Sequence, residues 1–150
     1  MGKIIYLDNA ATTRTAPEVV EAMIPFFTEF YGNPSSVYSF ASQNKNVITE
    51  KREAIATLLG AKSNEIYFTA GGSESDNWAI KGAAYANIKK GNHIITSAVE
   101  HHAVLHTLKA LEKEGFEVTY LPVDEYGMVS AEDVRNAITD KTILITIMFA

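Results

Sequence analysis

The residues best suited to chemistry sit in short polar turns. Thr69-Ala70-Gly71-Gly72-Ser73-Glu74-Ser75-Asp76-Asn77 places two glycines ahead of a helical pattern that starts at Ser73. Glycine tolerates positive φ and the close approach of a ligand, and a helix start exposes unpaired N–H groups at the positive end of its dipole. That combination suits a phosphate, with the Ser73 hydroxyl as a further donor. The turn lacks the Gly-Lys-Ser/Thr ending of a Walker loop and the six-residue glycine pattern of a dinucleotide site. On these residues alone it reads equally as a glycine-rich turn with Ser73 or Ser75 as a plain helix cap. A second turn, Ala98-Val99-Glu100-His101-His102, offers an imidazole at His101 that can stack on a flat ring or move a proton. Glu100 can act as a base or orient one, although an acid in the first turn of a helix is the plainer role. His102 and His106 stand four apart on one helix face, but no zinc-protease glutamate and no third ligand accompany them, so we read no metal site. Asp8-Asn9 and Asn33-Pro34-Ser35-Ser36 read as structural polar turns.

These turns need elements to hold them. A short strand is expected over Ile4–Leu7, then a helix from Pro17 to about Phe30 kinked at Pro25, and a long helix from about Tyr38 to Leu59 stopped by Gly60. From there strands and helices alternate. Strands are expected at Glu65–Thr69, His93–Ser97, Glu117–Leu121 and Thr142–Met148, with helices at Ser73–Lys90, His101–Glu114 and Ser130–Ile138 between them. The spacing predicts right-handed βαβ units, hence an α/β fold with a mostly parallel sheet and helices on both faces. Ligands of such sheets bind outside the carboxyl ends of the strands. That rule puts the Gly72-Ser73 turn and His101 at one edge.

Composition narrows the partners. The 150 residues carry 13 Lys and Arg against 18 Asp and Glu, a net charge of −5, which gives no electrostatic reason to expect nucleic acid or an anionic membrane surface. There is no cysteine, so disulfides, cysteine-ligated zinc and a thiol nucleophile are excluded within these residues. Ile4-Ile5-Tyr6-Leu7 runs directly into Asp8, too short for a signal peptide, and the chain reads as cytoplasmic.

Four ordered stretches carry a family resemblance. Tyr6-Leu7-Asp8-Asn9-Ala10-Ala11-Thr12-Thr13, Gly32-Asn33-Pro34-Ser35-Ser36, Phe68 to Asn77, and Glu100-His101 together resemble the cysteine desulfurases, and Lys81-Gly82-Ala83-Ala84 and Gly115 to Leu121 match as well. These are pyridoxal-phosphate enzymes of the class V aminotransferase group, fold type I, and the nearest likeness is to the NifS/IscS-like branch. The resemblance implies that Gly72 and Ser73 hold the phosphate of pyridoxal 5'-phosphate. The family usually has a small residue and then Thr at these positions, so Ser73 keeps the hydroxyl. It implies that His101 stacks on the pyridine ring and helps in proton transfer, and that the Asn9–Thr13 and Asn33–Ser36 turns line the mouth of the site. The reaction implied takes sulfur from L-cysteine, leaving alanine and an enzyme persulfide, and passes it to an iron–sulfur scaffold or another acceptor protein. Members are usually homodimers.

Several parts of that machinery are missing. No lysine here follows a histidine, as the family's Schiff-base lysine does, so covalent attachment of the cofactor at the family position is not possible within this chain. The resemblance places the aspartate for the pyridine nitrogen, an asparagine pair expected just after Met148, and the persulfide cysteine beyond Ala150. The chain therefore reads as the front part of such a transferase, and alone it is expected to be inactive. Residues 1–14 are expected to belong with the small domain of the full-length fold, and 15–150 to form an incomplete cofactor-binding large domain. The alternatives are a selenocysteine lyase or other class V relative, and a non-catalytic binding or interaction module. Thr142 to Ala150 is apolar and uncharged, and a strand there is expected near an open sheet edge, which invites self-association.

Overall fold

Proline sets the helix boundaries at the front of the chain. A proline has no N–H to lose in the first helical turn and its φ is already helical. Pro17 opens α1 (Pro17–Met23) and Pro25 opens α2 (Pro25–Thr28), so the expected kinked helix is two short ones. The long helix α3 (Ser39–Leu59) ends where Gly60 takes the left-handed conformation, φ +66°, and the Ala61 N–H turns back to the Ala56 carbonyl. Within α3, the Asn44 amide is buried and donates to the carbonyls of Phe30 (2.6 Å) and Gly32 (2.5 Å), pinning the segment that leaves α2. A single 3₁₀ turn, Ser63–Glu65, follows, closed by the Glu65 carboxylate on the Lys62 N–H.

The computed structural model describes residues 4–149. The chain divides into two compact units, Met1–Tyr67 and Phe68–Ala150. The elements above make up the first. The second holds α4 (Gly72–Asn87), β1 (His93–Ser97), α5 (His102–Lys113), β2 (Glu117–Leu121), α6 (Ala131–Ala137) and β3 (Thr142–Thr146). Its three strands are parallel in the order β2-β1-β3, so β3 lies at an edge. Ile94 pairs with Val118 on one side and Leu144 on the other, and these side chains share a face. Against that face α4 and α5 contribute Ile80, Ala84, Val104, Leu108 and Leu111, with Phe116 completing the core. Returning from β2 past β1 to β3, a right-handed crossover puts α6 on the opposite face. His93, buried on that face, bridges the sheet through Thr119 Oγ1 and Thr142 Oγ1, both at 2.8 Å.

The expected strands at Ile4–Leu7 and Glu65–Thr69 are not formed. Both segments are outside the three-stranded sheet. Ile66 has strand-like dihedrals (φ −100°, ψ 125°), yet no neighbouring strand turns them into a ladder. A strand exists only through its partner's hydrogen bonds, whereas a helix satisfies itself. β3 also stops at Thr146, short of the expected Met148. Among the described residues no helix is long and apolar enough to cross a membrane.

Candidate functional site

The start of α4 is uncapped. Gly71 is its N-cap with extended backbone (φ 167°, ψ 175°) and no side chain caps the helix, so neither Ser73 nor Ser75 fills that role. The positive φ that the glycines permit is not used at Gly71 or Gly72. What they supply is room, since a Cβ added at either would meet nothing within 4 Å. The first intrahelical bond is from the Ser75 N–H to the Gly71 carbonyl (3.1 Å). The N–H groups of Gly72, Ser73 and Glu74 precede it and have no carbonyl one turn back to bond. The turn is held from behind by other groups. Glu74 Oε2 accepts from the Ala70 N–H (2.6 Å), and Thr69 Oγ1 meets Ser75 Oγ at 2.7 Å. The three free N–H groups and the exposed Ser73 hydroxyl are what a phosphate would find there, at the positive end of a 16-residue helix.

His101 occupies the corresponding place on α5. It is the N-cap rather than the first helical residue, and its Nδ1 accepts from the Ala103 N–H at 3.1 Å. With Nδ1 engaged as an acceptor, a neutral ring carries its proton on Nε2. The exposed ring thus presents an N–H, not a lone pair, to anything beside it. Glu100 corrects a sequence expectation. It is not a first-turn helix acid but a buried side chain, 6% exposed, whose Oε1 accepts from Ser97 Oγ (2.9 Å) and from the Met148 N–H (2.7 Å).

Ser73 and His101 line one open groove of about 360 Å³ between α4 and α5. Asn77 and Lys81 continue the α4 wall, and His102, His106 and Thr107 the α5 wall. Among the described residues no carboxylate lines it, and a lysine and three histidines do. Asn77 and Lys81 stand in the stretches quoted from the sequence, which assigns neither a role in a site. Their spacing from Ser73, four and eight residues along one helix, is the signal that would have found them. His102 and His106 stack at 5.5 Å. Among the described residues no group of three His, Cys, Asp or Glu converges as a metal site requires. The Asp8–Thr13 and Asn33–Ser36 turns belong to the other unit and are closed locally, by Tyr6 Oη on Asp8 and Thr12 and by Asn33 Oδ1 on the Ser35 N–H.

The model of the family described as aminotransferase class V matches residues 5–150. The chain belongs to that family. The class V chain is 64% identical over 150 residues to a cysteine desulfurase IscS from Clostridium botulinum, covering all of this chain and 38% of that one. Among solved structures, a NifS-like protein superposes with a TM-score of 0.92 at 41% identity, over 97% of this chain and 40% of that one. The structure of SspA in complex with cysteine superposes with a TM-score of 0.88 at 46% identity, over 95% and 41%. The chain therefore spans less than half the length of the relatives it matches. These likenesses bear out the parallel α/β reading and the resemblance drawn from the sequence motifs.

Proposed function

We propose that this chain is the front part of a pyridoxal-phosphate-dependent cysteine desulfurase. The observation that carries the proposal is the uncapped start of α4 opening on the same groove as His101. The residues present fit the cofactor, because room, three unbonded N–H groups and a hydroxyl lie together with no acid lining the groove. Bound pyridoxal phosphate supplies a ring that withdraws electrons from a substrate's amine-bearing carbon. In this reading Gly72 and Ser73 hold the phosphate and fix the ring's position. His101 stands against the ring and offers its Nε2–H to a proton acceptor there, while Nδ1 stays occupied by the Ala103 N–H. The 64% identity to a cysteine desulfurase and the cysteine bound in a solved relative support L-cysteine as substrate.

The lysine, the ring-nitrogen aspartate and the persulfide cysteine would come from residues outside this span. Residues 1–14 would join the small domain, and 15–150 would form part of the large one. Sulfur transfer to an iron–sulfur scaffold or another acceptor, a homodimer and a cytoplasmic setting belong to the same proposal. The test is alanine release from L-cysteine by the protein as its source makes it, with a thiol reductant present. Release that depends on pyridoxal phosphate is expected, and none from the 150-residue chain alone. A source-made protein that releases no alanine overturns the proposal.

A further inference from the structure

We infer that Glu100 is a positioning residue that sets where His101 stands, by tying the exit of β1 to the exit of β3. The inference rests on the cofactor-site reading of His101 and adds a residue which that reading does not use. The geometry is unusual for an acid in a turn. A carboxylate normally stays in water unless it is paired with a cation or well bonded. Glu100 is 6% exposed and both of its recorded bonds come from neutral donors. One donor, Ser97 Oγ, is the last residue of β1, three positions before it. The other, the Met148 N–H, lies 48 residues on, two past the end of β3.

A single oxygen therefore spans two adjacent parallel strands at the carboxyl edge of the sheet, where ligands of such sheets bind. The next residue is His101, which is exposed and lines the groove. On its far side His101 is fixed by the Nδ1 bond to the Ala103 N–H. The turn is thus held at both ends, and His101 has little freedom left between the two ties. A buried carboxylate with neutral partners is a poor choice for stability alone, since packed apolar groups would serve as well. Its value is in placing one particular turn against one particular strand exit.

The experiment uses the source-made protein with Glu100→Ala, Glu100→Gln, His101→Ala and the Glu100→Ala/His101→Ala pair. Two readouts are taken: nitrogen-15 NMR of the histidine rings without cofactor, and the circular dichroism of bound pyridoxal phosphate with its Kd. Glu100→Ala is expected to move the His101 ring signals and to weaken pyridoxal phosphate about tenfold, within the range of coupling between contacting residues. Glu100→Gln keeps an oxygen that accepts both bonds and is expected to restore both readouts. In the His101→Ala background, Glu100→Ala is expected to change Kd less than about twofold, because a positioning residue acts through the group it positions. If Glu100→Ala fails to fold, Ser97→Ala removes one of the two donors and is expected to shift the His101 signals the same way. Unmoved ring signals, or equal loss with and without His101, overturns the inference. A wild-type protein that binds no pyridoxal phosphate overturns the cofactor reading instead, and the ring signals still decide for or against the tie.

Discussion

Replacing Ser73 with Ala removes the side-chain hydroxyl that lines the groove at the start of α4 and leaves the N–H groups in place. No cap bond is lost with it, because the helix start has no side-chain cap. The helix itself should be intact, since Ala is a better helix former than Ser. A hydrogen bond to a charged acceptor contributes about 1.5–3 kcal/mol net. Ser73 is exposed, so the low end of that range applies. Pyridoxal phosphate should then bind about tenfold more weakly, which corresponds to ~1.4 kcal/mol. The assay is an absorbance or fluorescence titration of the source-made protein at fixed salt, run in parallel with pyridoxal, which has the same ring and no phosphate. Pyridoxal affinity should stay within about twofold, because nothing in the reading joins Ser73 to the ring. Equal losses for both ligands would place the hydroxyl against the ring. No loss for either would mean that the turn is a plain helix start, and the phosphate reading would fall with it.

Three further perturbations test the packing within the two units. At Gly91, an added Cβ would lie 2.2 Å from the Lys141 carbonyl oxygen and 2.7 Å from its backbone carbons, and that carbonyl accepts the His93 N–H that leads into β1. Backbone cannot rotate away, so Gly91→Ala should destabilise by about 2–4 kcal/mol in urea unfolding, from overpacking and a weakened bond; an unchanged midpoint would refute the close approach. The Tyr120 hydroxyl is pushed above its ordinary value by burial, with the charge of Glu112 adding to it. Its contribution to stability is therefore complete below about pH 10 and lost as pH rises through the raised value, because the unfolded chain ionises first. Tyr85, bonded to Glu114, is raised in the same direction. Tyr120→Phe should flatten the alkaline fall in melting temperature, because it removes the group that ionises there; a variant that still shows the whole fall would refute this. Asn44→Asp should cost more than Asn44→Ala, which loses about 1–3 kcal/mol, because a carboxylate would face two carbonyl oxygens in a buried place; the reverse order in thermal unfolding would show that the amide does not hold Phe30 and Gly32.

Local signals were read well where the structure needs nothing beyond them. β1 and β2 run over His93–Ser97 and Glu117–Leu121 as the alternation predicts, and Gly60 ends α3 in the left-handed conformation. β1 is covered on both faces and every residue in it is buried, the polar His93, Thr96 and Ser97 included. At Pro25, the expected kink, the helix divides into α1 and α2, with Ile24 between them in helical conformation and bonded back to Val20. The two strands that failed, Ile4–Leu7 and Glu65–Thr69, have strand-forming residues but no ladder to join. Their sequences record a tendency that only a neighbour can realise. Burial follows the same line. Between Ile4 and Tyr31 no residue is buried, whereas the sheet, α4 and α5 share a continuous core.

The candidate site was legible as residue types and not as roles. Gly72, Ser73 and His101 were found because glycine pairs, hydroxyls and imidazoles in turns are conspicuous. The sequence did not reveal that α4 would lack a cap, for Ser73 and Ser75 are good caps by type. That depends on the extended Gly71 backbone and on Glu74 turning back to Ala70. Glu100 was hardest of all. Beside a helix start, an acid has an ordinary electrostatic reason to be there, and this masked the structural one. Its second bond reaches an N–H 48 residues away, beyond any periodicity or motif. Long-range ties of this kind come from topology. Only once β3 is known to lie beside β1 does an acid three residues past β1 have a second strand exit within reach, and only then does the turn carrying His101 acquire a fixed position.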